Sequence, residues 1–99
     1  MTKVVYRTQM TDFWLDVQGH ATGNQDVCAA VSAITQTLVG YLHNLKAVDE
    51  ADIRKLIAED GHLCVAAKGR DKCKHAFDMA YFGLCQLAHN FPEQVSVEK

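Results

Sequence analysis

Residues 47–68 read AVDEADIRKLIAEDGHLCVAAK, and the fold turns on whether their first half is helix or strand. As a helix, Asp49-Glu50-Ala51-Asp52 would start a short segment carrying Ile53, Leu56 and Ile57. As a strand, Ile53, Lys55 and Ile57 alternate and run into Glu59-Asp60-Gly61. Asp-Gly is a strong hairpin signal, because both residue types tolerate the backbone angles a tight β-turn demands. Leu63, Val65 and their neighbours then supply the partner strand. The hairpin reading prevails, with strands over 52–58 and 62–68.

The flanks agree with a sheet. KVVYRT, residues 3–8, is rich in β-branched and aromatic residues and reads as a strand. DFWLDVQ, residues 12–18, alternates, with Phe13, Leu15 and Val17 on one face and Trp14, Asp16 and Gln18 on the other. Gln9-Met10-Thr11 connects the two. Val27, Val31, Ile34, Leu38, Tyr41, Leu42 and Leu45 recur at three- and four-residue steps, which predicts an amphipathic helix over 27–45 with Asp26 as its N-cap. Ala29, Ala30 and Ala33 are expected to pack closely on the sheet. A second helix is expected over 71–90, with Cys73, Phe77, Ala80, Leu84, Leu87 and Phe91 as its stripe and Pro92 ending it. Residues 94–97 alternate as a last short strand. The sum is one α+β domain over residues 1–99: a two-layer sandwich of two long helices on a mostly antiparallel sheet of four to five strands.

Composition sets the boundaries. A chain of 99 residues, 48% hydrophobic and 22% charged, is ordinary globular usage and can bury one core. No apolar run approaches the ~18 residues of a membrane span, and the start, MTKVVYR, has no apolar signal segment. A cytoplasmic protein is expected. The net charge of −2 argues against direct binding of nucleic acid. In a reducing compartment the four cysteines are not a disulfide framework. They are core residues, metal ligands or a nucleophile.

Position divides them. Cys64 and Cys73 fall among apolar neighbours and read as core, while Cys85 lies off the stripe of its helix and stays undecided. No pair has CxxC or CxxH spacing, so neither a metal site nor a cofactor is expected. His43, His62, His75 and His89 are scattered and read as surface or satisfied core residues. KGRDKCK, residues 68–74, holds four cations and one anion, a solvated helix start or a docking patch for an acidic partner.

The chemistry gathers in GHATGNQDVCAAVS, residues 19–32. His20 follows a strand end and Cys28 lies in the first turn of the next helix, where open backbone N–H groups and the helix dipole favour a thiolate. Seven residues rich in Gly and polar groups separate the two and can fold back to join them as a Cys-His pair for nucleophilic catalysis. A core cysteine and a solvated histidine are the plainer alternative.

Gly19-His20-Ala21, a loop, then Asp26-Val27-Cys28-Ala29-Ala30-Val31-Ser32 resembles the motif of the bacterial ribosomal-processing cysteine protease (Prp) family, and the order of elements matches over essentially the whole chain. The resemblance implies a homodimeric cysteine endopeptidase that trims a short N-terminal extension from a ribosomal protein of the large subunit, cutting after aromatic residues. His20 would be the general base and Cys28 the nucleophile. Asp26 would cap the helix and shape the loop, Ser32 would pack or bond within the site, and Gly19, Ala21 and Gly23 would form the loop that meets substrate. The loop is several residues shorter than in typical members, and the run before the cysteine lacks one residue. A shortened relative could instead serve a prophage and process a phage capsid protein. The alternative class is a non-catalytic interaction module that uses the junction and the 68–74 cations to hold a ribosomal or phage partner.

Overall fold

The computed structural model describes residues 1–20 and 24–98. In chain order the elements are β1 (Thr2–Gln9), β2 (Asp12–Gln18), α1 (Gln25–Ala47), β3 (Ala51–Glu59), β4 (His62–Gly69), α2 (Asp71–Asn90) and β5 (Val95–Glu98). The sheet order is β3-β4-β2-β1-β5. Three of its pairings are antiparallel and the one between β1 and β5 is parallel. The architecture is the expected α+β sandwich, with five strands. The hairpin reading of residues 51–69 holds: Glu59 pairs with His62 across Asp60-Gly61, and Gly61 takes φ +77°. Between β1 and β2 no glycine is available, and Met10 accepts the positive φ of 57° at a fully open tip.

Alternation in β2 sorts its side chains. Phe13, Leu15 and Val17 point to the helices and are buried. They join Val4, Val65 and Ala67 from neighbouring strands, Val27, Leu38 and Leu42 from α1, and Phe77 and Leu84 from α2 in one core. Phe77 stacks on Phe13 with ring centroids 5.4 Å apart and on Tyr6 at 6.2 Å. The two helices also meet each other. A Cβ at Gly83 would stand 3.1 Å from Ile34 Cδ1, so the missing side chain permits the close approach. Both helices close crossovers between parallel strands, β2 to β3 and β4 to β5, and lie over the same face of the sheet.

Four expectations need correction. Asp16 alternates outward as predicted but is buried, because His62 Nε2 and Gln18 Nε2 each approach its carboxylate at 2.8 Å. Tyr41 is exposed, and Thr35 occupies the buried stripe of α1 instead, with its hydroxyl donating to the Val31 carbonyl at 3.0 Å. Ala29 and Ala33 are exposed rather than packed on the sheet. The α1 N-cap is Asn24, not Asp26: its Oδ1 accepts the Val27 N–H at 3.1 Å, which starts the helix two residues early. Asn caps as well as Asp, and cap-to-N3 spacing selects the residue three before Val27.

Candidate active site

Cys28 is half-buried near the start of α1, packed at the edge of the core. Its N–H donates to the Asn24 carbonyl at 3.3 Å, the first rung of the helix. The N–H groups of Gln25 and Asp26 lie ahead of that rung, at the positive end of the dipole. Asp26 is exposed in the first turn, outside the cleft described next.

That cleft has a volume of about 490 Å³ and runs between α1 and the turn joining β3 to β4. Cys28, Ala29, Ser32 and Gln36 line it from the helix. Their spacing is that of one helical face, a periodic signal that the sequence carried and that extends the candidate site beyond Ser32 to Gln36. Thr2, Gly19 and His20 close one end, and Ala58 to Leu63 form the opposite wall. The structure therefore brings His20, Cys28, Gly19 and Ser32 to a common cleft. Ala21 and Gly23 lie outside the described residues.

The position of His20 is fixed from two sides. Gly19 has φ +92°, and a Cβ there would stand 2.2 Å from the Met1 carbonyl oxygen, so no other residue fits. The Gly19 N–H donates to the Gly61 carbonyl at 2.8 Å, and the Thr2 hydroxyl donates to the Gly19 carbonyl at 3.3 Å. The imidazole then rests on Gly61: a Cβ at that glycine would meet His20 Nε2 at 2.7 Å. Nε2 also lies 3.7 Å from Asp60 Oδ1. Sequence reading assigned Asp60-Gly61 only a turn. Its contact with His20 spans some forty residues and leaves no local pattern.

The other cysteines sit in different surroundings, and no disulfide joins any of the four. Burial pushes the Cys73 thiol up to about 11. Burial, with the nearby Asp16 carboxylate, also raises Cys64, which faces away from the helices beside Trp14. Cys85 is half-buried and hydrogen-bonded with Tyr81. Among the described residues no helix is long and apolar enough to cross a membrane.

Comparison with known proteins gives the site its context. Two crystal structures of the essential ribosomal processing protease Prp from S. aureus superpose on the chain. The one with a covalently linked product peptide has a TM-score of 0.76 at 19% identity, and the one with a substrate peptide 0.72 at 18%. Each alignment covers 99% of this chain and 98% of the other. SMU.848 from Streptococcus mutans aligns with a TM-score of 0.70 at 21% identity, over 99% of this chain and 92% of its own. No curated protein sequence matches. The family model described as Cysteine protease Prp matches residues 1–96, nearly the full length, and the chain belongs to the Prp family of cysteine proteases.

Proposed function

We propose that His20 and Cys28 form the catalytic dyad of an endopeptidase that trims a short N-terminal extension from a ribosomal protein of the large subunit. The observation that carries the reading is the shared cleft, in which a helix-start cysteine and a strand-end histidine line one space. In the reaction, His20 takes the Cys28 thiol proton and the sulfur attacks the scissile carbonyl carbon. The C–S bond forms, and helix-start N–H groups accommodate the oxyanion. The C–N bond then breaks as His20 returns the proton to the leaving amine, and water hydrolyses the thioester. Ser32 and Gln36 contact the substrate along the cleft, and Ala21 and Gly23 contribute to substrate binding. The enzyme acts in the cytoplasm as a homodimer. The S. aureus relatives, described as ribosomal processing proteases with product and substrate peptides, support the substrate class.

The test uses a ribosomal protein precursor with its N-terminal extension and an aromatic residue before the scissile bond, followed by intact-mass spectrometry. Wild-type protein is expected to release the extension. Cys28→Ala should give no turnover, and His20→Ala should lose about 10²–10⁴ of the rate. A stable complex without product would overturn the reading in favour of an interaction module. Cleavage of a phage capsid precursor alone would move the substrate to phage assembly.

A further inference from the structure

We infer that Asp60 is the positioning residue for His20, holding the Nε2 edge of the ring so that Nδ1 is the nitrogen offered to Cys28. The inference rests on the dyad reading and adds the group that orients its base. Three ring atoms face Gly61: its absent Cβ would lie 2.7 Å from Nε2, 3.2 Å from Cδ2 and 3.5 Å from Cε1. Asp60 Oδ1 stands 3.7 Å from the same Nε2. The nitrogen that one edge of a histidine engages decides which nitrogen the other edge presents, so an Nε2–H directed at Asp60 leaves Nδ1 unprotonated as the base. The carboxylate also favours the imidazolium that forms when the thiol proton arrives.

Stability does not account for the pair. The Asp60 side chain is 98% exposed and that of His20 is 57% exposed, and ion pairs so open contribute little to folding. At 3.7 Å the contact is longer than a hydrogen bond. A peptide in the cleft would exclude water there and strengthen it. The turn is also tied to the strand end that carries His20, through the Gly19 N–H to the Gly61 carbonyl at 2.8 Å, which keeps Asp60 and His20 at neighbouring backbone positions. The other titratable groups along the cleft are Cys28 from α1, Glu59 from the end of β3 and His62 from the start of β4.

The test compares Asp60→Ala with Asp60→Asn, which keeps an acceptor but removes the charge. Because Asp60 is exposed, both variants should fold as wild type. Asp60→Ala is expected to lower kcat by about 1.5-fold to fivefold with KM little changed, the range of a single open charge pair. NMR of the ring nitrogens should show the Nε2–H tautomer of His20 in wild type and a loss of that preference in Asp60→Ala. Partial recovery of kcat in Asp60→Asn supports positioning of the ring by a polar acceptor at this place. An Asp60→Ala enzyme with wild-type kcat and an unchanged His20 tautomer overturns the inference alone, provided His20→Ala loses cleavage as the dyad requires. Retained cleavage by His20→Ala overturns both the dyad and this inference.

Discussion

Burial separates Cys64 and Cys73 from Cys28. The first two are buried, and burial raises both thiols, Cys73 to about 11. At neutral pH they are almost wholly protonated, and only a thiolate attacks an alkylating reagent at speed. Iodoacetamide at mildly acidic pH, followed by peptide mass mapping, is therefore expected to modify Cys28 ahead of Cys64, Cys73 and Cys85. Equal labelling of all four would argue that the helix start does not activate Cys28. This division of the cysteines was legible in the sequence, because apolar neighbours mark Cys64 and Cys73 and a helix start marks Cys28. Cys64 is buried as expected, opposite Asp16 on the face of the sheet away from the helices. The burial of Asp16 was illegible. Its partner His62 is 46 residues distant and is brought near only by the register of β2 with β4.

Among the elements, α1 carries the largest difference between expectation and structure. Periodicity located the helix, but periodicity says nothing of where the first turn closes. Capping geometry decides that, and Asn24 supplies it. Asn24→Ala is expected to lower stability by about 1 kcal/mol, read as a shift in urea midpoint at constant slope. The Cys28 N–H bonds to the Asn24 backbone carbonyl, which the substitution keeps, so the lost bond is the one from the Val27 N–H to the side chain. The β3–β4 hairpin was legible from Asp60-Gly61 because turn chemistry is local. What the turn holds was not, because His20 arrives from the end of β2 through the Gly19–Gly61 hydrogen bond.

Across the whole molecule, α2 is pinned to β1 by Asp78, which accepts from the Tyr6 hydroxyl at 3.0 Å and from Lys74. Burial pushes the Asp78 carboxyl up, but the hydrogen bonds from Lys74 and Tyr6 outweigh it and hold the group below the usual carboxylate range. A carboxyl with a depressed folded-state pKa stabilises the fold fully above its unfolded value of about 3.9 and loses that contribution as pH falls through the folded value. Between pH 5 and 3 the wild-type Tm should therefore fall further than that of Asp78→Asn, as read by calorimetry. The effect should be modest, since both charged partners are partly open to water. Equal losses in the two proteins would remove Asp78 from the acid response.

The parallel pairing of β5 with β1 bears on the order in which the end of the cleft is secured. The Thr2 N–H donates to the Gln94 carbonyl at 2.8 Å, and the Thr2 hydroxyl in turn holds the Gly19 carbonyl beside His20. A polypeptide is made from its N-terminus, so Gln94 and β5 are added after every residue that lines the cleft. A growing chain that has not reached them already carries Cys28 and His20, and its Thr2 is held only by the pairing of β1 with β2 and by its bond to Gly19. Order of synthesis thus becomes order of assembly: the end of the cleft at Thr2 gains its second support only once β5 is in place.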